Sequence, residues 1–316
     1  MSNPNYPPRV TVDPSLEVIS HTMVERYTAL NGQMADHYAA FQPLQQPHIV
    51  SSHSAIMSTA RAAINRAAGS DALRRAIVLG AGNCSDIPVA ELARTFDTTT
   101  LVDIDVKSVA KAVANLPKRL HEKIDIIGAD ISGVAGDVAE VMEGAARRRS
   151  TYKGYLQEAA WGLSGIDPTD KQPDLGEGYA FVCSHLLLTQ LGSIAVATLN
   201  SDLTETKYGV PFTYSQEGIE KPLTLHLYNL TAKLRKSHVD LLARLVEPSG
   251  TVHLADTYTQ IVDGDMHTMV RDEELEYIAE QFAELAPPQS WRWQSSPNGE
   301  FHVVSNSLAP RGDTPS

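Results

Sequence analysis

The sequence predicts an α/β fold: a doubly wound, mostly parallel sheet that ends in an antiparallel β-hairpin, with a helical cap at the N-terminus. Three observations predict it. An apolar run, Ala76-Ile77-Val78-Leu79, opens into a small-residue turn, Gly80-Ala81-Gly82-Asn83-Cys84, and then into a helical pattern with Val89, Leu92, Ala93 and Phe96 on one face. A second apolar run, Leu101-Val102, ends in Asp103-Ile104-Asp105, so strand, loop, helix, strand and acid come in the order of a first βαβ unit. Near the C-terminus, Trp291–Gln294 and Phe301–Ser305 alternate in polarity around Ser296-Pro297-Asn298-Gly299, a hairpin pattern with an Asn-Gly turn.

Each part of the first unit has a physical reason. A ligand lying across the strand ends needs close approach to the backbone, and Gly80 and Gly82 remove the Cβ atoms that would block it and allow positive φ. Ser85 or Asp86 can cap the helix that follows. Asp103 can accept both hydroxyls of a ribose; it lies 103 − 80 = 23 positions past the first glycine, near the spacing of roughly 20 expected for that acid. A dinucleotide fingerprint would want a third glycine or alanine where this chain has Ser85.

Composition bounds the class. The chain has 316 residues, 42% of them hydrophobic, enough for one large domain with a cap. Its 26 basic and 38 acidic side chains give a net charge of −12, which disfavours a phosphate backbone as partner. The densest basic cluster, Arg147-Arg148-Arg149, is short and has no interleaved aromatics. Two cysteines, Cys84 and Cys183, make no disulfide framework, and the eleven histidines show no HxxxH or HxH spacing, so no metal is expected. The N-terminus has no signal-peptide core and no segment is apolar enough to span a bilayer; the expected compartment is the cytoplasm.

Along the chain, residues 1–70 form the extension. Residues 1–14, rich in Pro and Asn, are expected to drape over the surface. Helical spacing follows over Leu16–Leu30, over Met34–Phe41 with a break near Pro43–Pro47, and over Ser52–Ala68. His37, Tyr38 and Phe41 either pack this extension on the core or face the ligand. The main domain spans 71–306. After a helix over Val106–Leu116, the third strand, Lys123–Ile127, ends in Gly128-Ala129-Asp130; Asp130 either faces the ligand or caps the next helix, Val134 to about Arg149. Residues 150–178, with Tyr152, Tyr155 and Trp161, read as an irregular insertion. The fourth strand is Tyr179–Cys183. Ser184-His185 follow at the switch point, where His185 can accept a proton from a substrate amine or hydroxyl or can simply start the leucine-rich helix after it.

A second irregular insertion covers 200–222, with Tyr208, Phe212, Tyr214 and Glu217. A long helix from about Leu223 to Val246 carries His226, Tyr228 and Asn229 near its start. Glu247-Pro248-Ser249-Gly250 reads as a turn, Thr251–Asp256 as the fifth strand and Arg271–Ala286 as the last helix. Residues 307–316 read as a disordered tail.

From about Arg75 to Ser305 the chain resembles a class I S-adenosylmethionine (SAM)-dependent methyltransferase. The resemblance rests on Gly80 and Gly82, Asp103, Asp130, Cys183-Ser184 and the closing hairpin, whose last strand inserts antiparallel in that family. It implies SAM as cofactor: the Gly80–Cys84 backbone, Ala81 included, along the methionine part, Asp103 at the ribose, Asp130 at the adenine, Cys183 and Ser184 near the reactive end, and Ile104 and Ile131 as further cofactor contacts. Val78 stands where family members often carry an acid, which passes the amino-group contact to Asp86 or to a carbonyl near Cys183. No Asn-Pro-Pro-Tyr follows the fourth strand.

The expected activity is methyl transfer to a small-molecule metabolite, with His185 and Tyr152 as catalytic candidates and Tyr38, Tyr155, Tyr214 and His226 as substrate-binding candidates. Transfer or cyclisation of the aminocarboxypropyl group, with release of methylthioadenosine, is the alternative. A non-catalytic SAM-fold protein is another, and an NAD enzyme is an outsider. Neither nucleic acid nor membrane is expected as partner; the apolar N-terminal helices can also serve a homodimer.

Overall fold

The computed structural model describes residues 8–13, 16, 42–67, 74–148, 151–192, 220–262, 265–296 and 299–311. The elements, in chain order, are β1 (Arg9–Val12), α1 (Gln42–Arg66), β2 (Arg75–Leu79), α2 (Val89–Thr95), β3 (Thr98–Asp103), α3 (Val106–Ala114) and β4 (Ile124–Gly128). Then come α4 (Ala135–Arg148), α5 (Tyr152–Ser164), β5 (Tyr179–His185), α6 (Lys221–Leu245), β6 (Val246–Val262), β7 (Asp265–Thr268), α7 (Asp272–Gln281), β8 (Phe282–Glu284), β9 (Gln289–Ser296) and β10 (Gly299–Pro310). The sheet runs β1-β4-β3-β2-β5-β6-β10-β8, with β7 paired to β6 and β9 to β10. Strands β1 to β6 pair in parallel, and β10 is antiparallel to both β6 and β8.

The central strands β2 and β5 are buried on both faces, which is why they read as near-continuous apolar runs. On one face Val78, Leu101, Ile126 and Phe181 pack under α1, α2 and α3. Phe96 stacks on Phe181 with centroids 5.5 Å apart, a contact that adds about 1 kcal/mol to the area it buries. On the other face Ile77, Leu79, Val102, Val182 and Leu254 pack under α4, α5 and α6. Both ends of the glycine loop and the end of β5 thus lie at one edge of the sheet, over the gap where the chain switches direction between β2 and β5.

The structure departs from the expectations in several places. Residues 9–12 do not drape: they add β1 to the edge of the sheet beside β4. Helix α1 runs without a break through Pro47, at the cost of the one backbone hydrogen bond that a proline cannot donate. The stretch 150–178 contains a regular helix, α5, with Thr151 Oγ1 accepting from Gly154 N. Leu186–Gly192 form turns rather than the start of a helix.

Residues 247–250 are carried as a bulge. Between the pairs Tyr179–Val246 and Phe181–Thr251, β5 advances two residues and β6 five. The last helix stops at Gln281, and β8 and the β6–β7 hairpin are additional strands. Residues 307–310 belong to β10, not to a tail. The expected helices over Leu16–Leu30 and Met34–Phe41, with His37, Tyr38 and Phe41, lie outside the described residues apart from Leu16. So do Tyr208, Phe212, Tyr214 and Glu217. Among the described residues no helix is long and apolar enough to cross a membrane.

Candidate functional site

The glycine loop leaves β2 with Gly80, Gly82 and Cys84 all at positive φ (68°, 51° and 56°). The loop is stitched to its neighbour strand: Gly80 N and Ala81 N both donate to Val102 O, at 2.9 and 3.1 Å. Gly82 N donates to Asp103 Oδ2 at 2.8 Å, and the other carboxylate oxygen accepts from Asp105 N at 2.8 Å. A Cβ built on Gly82 would meet no atom within 4 Å, whereas one on Gly80 would reach Leu187 Cδ1 at 2.9 Å. Open space therefore lies over Gly82, beside a buried carboxylate that keeps accepting capacity beyond its two N–H partners. Burial pushes the Asp103 carboxyl above the usual range, with the Gly82 and Asp105 N–H bonds acting the other way. Ile104 packs against the core below.

The turn after the loop is held by Asn83, whose Oδ1 accepts from Ser85 N and Ser85 Oγ at 3.0 and 2.7 Å. Helix α2 begins after Pro88 with no side-chain cap, so neither Ser85 nor Asp86 takes the capping role expected of it. Asp86 turns instead toward two histidines. Its Oδ2 lies 3.9 Å from His48 Nε2, on α1, and 3.8 Å from His185 Nε2, at the end of β5. These two histidines hold the Asp86 carboxyl below its usual range against the opposing effect of burial. Cys84, between Asp86 and Asp103, is pushed up to about 12 by burial and by the two carboxylates, and stays a thiol.

Two chains of hydrogen bonds lead up to the two histidines that face this carboxylate. In the first, Trp291 Nε1 donates to His48 Nδ1 at 3.0 Å. Indole is a donor only, so His48 Nδ1 accepts and the ring N–H is on Nε2, facing Asp86. Trp293 stacks on His48 with centroids 4.4 Å apart, and its Nε1 donates to Gln45 Oε1. In the second, His185 Nδ1 meets His253 Nε2 at 3.1 Å, His253 Nδ1 meets Thr59 Oγ1 at 3.3 Å, and Thr59 Oγ1 meets Ser307 Oγ at 2.6 Å. Either tautomeric setting satisfies the His185–His253 pair, so His185 Nε2 can present a proton or a lone pair. That atom is buried and has no hydrogen-bond partner in the protein. Burial lowers His185 to about 4, opposed by Asp86, and takes His253 well below its ordinary value.

His48 Nε2, Asp86 Oδ2 and His185 Nε2 lie within 4.8 Å of one another, a grouping that can surround a cation. A transition metal needs lone pairs from both imidazoles. The Trp291 donor places the His48 proton on the wrong nitrogen for that, which leaves only Asp86 and His185 able to accept here. His48, His253, Trp291 and Trp293 were not legible as site residues: each comes from an element remote in sequence, and none belongs to a spaced motif.

The other candidates fall as follows. Asp130 is buried and uses both oxygens at the start of α4: Oδ1 accepts from Ser132 N and Oγ at 2.9 and 2.6 Å, and Oδ2 from Ala135 N at 2.8 Å. This is the capping role, and Ile131 beside it is buried in the core. Cys183 is fully buried under α1 and α2. Ser184 points to the opposite face, where its Oγ pairs with His238 Nε2 at 2.8 Å. Tyr155 is fully buried between α4 and α5 and donates to Met142 Sδ, so its side chain has no open surface for a substrate. Tyr152 is half-buried and bonds Glu220, which with desolvation raises its phenol. His226 is half-buried in the first turns of α6.

No protein-family model matches the chain, and no curated protein does. Solved structures do match. The N-methyltransferase NodS of Bradyrhizobium japonicum WM9 aligns at 10% identity over 85% of this chain and 98% of its own, with a TM-score of 0.42. The 1,6-didemethyltoxoflavin-N1-methyltransferase of Burkholderia thailandensis aligns at 12% identity over 91% and 90%, with a TM-score of 0.39. DesVI of Streptomyces venezuelae aligns at 11% identity over 88% and 98%, with a TM-score of 0.39. The strand order itself, with β10 inserted antiparallel between β6 and β8, makes the fold that of a class I methyltransferase.

Proposed function

We propose that the chain binds SAM across the ends of β2, β3 and β5 and transfers its methyl group to a nucleophile on a small molecule. The observation that carries this reading is the open space over Gly82 beside the Asp103 carboxylate, with a second carboxylate, Asp86, four positions along the same segment. Asp103 suits ribose hydroxyls, and ionised Asp86 suits an α-ammonium group. The same pair opposes a pyrophosphate, which dinucleotide enzymes seat at a helix N-terminus.

In this reading the Gly80–Cys84 backbone runs along the methionine part. Ile104 and Ile131 lie toward the adenine, whose polar edge falls to backbone groups because Asp130 is engaged with α4. When bound, the cofactor supplies a methyl group already activated by its sulfonium. The chain's work is then to position the nucleophile and exclude water, worth up to roughly 7–11 kcal/mol in ideal cases. Trp291 and Trp293 close one side. Neutral His185 can take the nucleophile's proton through Nε2, with Asp86 beside it to stabilise the imidazolium and His253, Thr59 and Ser307 behind it.

The test is calorimetry with SAM and with S-adenosylhomocysteine, followed by mass spectrometry of adenine-containing products after incubation with SAM alone. Binding of both with SAM left intact supports methyl transfer awaiting its acceptor. Methylthioadenosine formed without an acceptor transfers the reading to aminocarboxypropyl chemistry. Absence of binding overturns it.

A further inference from the structure

Beyond the last β5–β6 pair, His185–Ala255, a groove of about 1070 Å³ opens between α6, the β6–β7 hairpin and the start of α7. It begins at Thr189, whose N and Oγ1 both bond Asp256, one residue past the last β5–β6 pair. Its wall is braced by Arg235, which is buried and donates to Leu188 O, Met269 O and both oxygens of Glu274 at 2.8–3.2 Å. These bonds tie the turn after β5 to the β7–α7 connection and neutralise Arg235 and Glu274 against each other.

Two cations of the lining remain. Lys221 and Arg271 are exposed and have no ion-pair partner among the described residues. Arg271 is held over the Tyr228 ring, 5.5 Å from its centroid. The protein as a whole carries a net charge of −12, so a groove whose unpaired charges are both positive runs against the general field. Apolar surface gathers there too. Of the seven large apolar side chains exposed among the described residues, Leu225, Tyr228 and Met266 all line this groove. Exposed apolar surface concentrated in one concave place marks a binding surface rather than background.

We infer that this groove holds an amphipathic small-molecule anion, its acidic head between Lys221 and Arg271 and a flat apolar body against Leu225, Tyr228 and Met266. Identifying that anion as the methyl acceptor rests on the proposed function. The binding itself does not.

Two fluorescent probes with the same aromatic body separate the terms: 8-anilino-1-naphthalenesulfonate, which carries an anion, and N-phenyl-1-naphthylamine, which does not. The full-length chain should bind the sulfonate at least tenfold more tightly than the amine. Lys221→Glu with Arg271→Glu should remove that preference, Arg271→Lys should keep most of it, and Met266→Asp should weaken both probes. Melting temperatures within a few degrees of wild type check that the variants fold. Equal affinity for the two probes, or an unchanged sulfonate affinity in the double variant, overturns the inference. A wild-type chain that binds the sulfonate this way but not S-adenosylhomocysteine leaves the groove standing and removes the cofactor reading.

Discussion

Asp103 and Asp130 stand at the carboxyl ends of adjacent parallel strands, and each is followed by isoleucine, yet they hold different partners. Asp103 accepts from Gly82 N and Asp105 N and stays beside the open space of the loop. Asp130 is closed into the first turn of α4. The cause is the residue two positions on. After Asp103 comes a second acid, Asp105, which caps α3 by accepting from Ser108 N and Oγ at 3.1 and 2.6 Å. After Asp130 comes Ser132, which supplies two donors and leaves the capping to Asp130 itself. A strand-end acid is free for a ligand when another side chain takes over its helix.

Acid is the bluntest way to break that comparison, because both carboxylates stand in a fold with neutral buried histidines. His185 and His238 are lowered by burial from 6.5 to about 4. The unfolded chain takes up their protons first as pH falls, so their contribution is full above pH 6.5 and is lost toward pH 4. The ceiling is about 3 kcal/mol per histidine. The melting temperature should fall steeply over that window, and less so in His238→Gln; a flat profile would contradict their neutral burial.

Next in size, Asp103→Ala should weaken S-adenosylhomocysteine binding at least a hundredfold by calorimetry, about 3 kcal/mol for charged hydrogen bonds to two hydroxyls. An equal loss in Asp130→Ala would erase the distinction between the two acids. Asp130→Ala should instead lose stability, by about 2 kcal/mol in urea unfolding, since three buried donors lose their acceptor. Asp105→Ala should cost about 1 kcal/mol as a lost cap and leave the affinity within threefold. A larger loss of affinity would mean that Asp103 depends on the Asp105 side chain and not only on its N–H.

The central sheet was legible because β2 and β5 are apolar runs, β3 and β4 carry apolar pairs, and β2, β3 and β4 run into glycine or acids. The closing hairpin was legible from alternation and its Asn-Gly turn. Exposed β1 and three-residue β8 were not, since neither buries enough of its own surface to leave a pattern. The positions of Gly80, Gly82, Asp86, Asp103 and His185 around the candidate site were readable because a βαβ unit fixes where loop and strand ends go. His48 and His253 were not, because what makes them site residues is their packing across the sheet. For Asp130 the sequence left ligand contact and helix cap both open, and the donors of α4 give the cap; Ser184 was placed at the right edge, but strand alternation turns its side chain to the opposite face, onto His238.

The Trp291 and Trp293 contacts to His48 and Gln45 join residues 243 and 248 positions apart. During synthesis, α1 emerges long before the hairpin that completes its polar groups. At roughly 5–20 residues per second, the interval is on the order of ten to fifty seconds. Through that time the parallel sheet can assemble while His48 waits without its indole donor. A nascent or C-terminally clipped chain would therefore own most of the fold and none of the finished pocket, so that competence arrives only with the last strand.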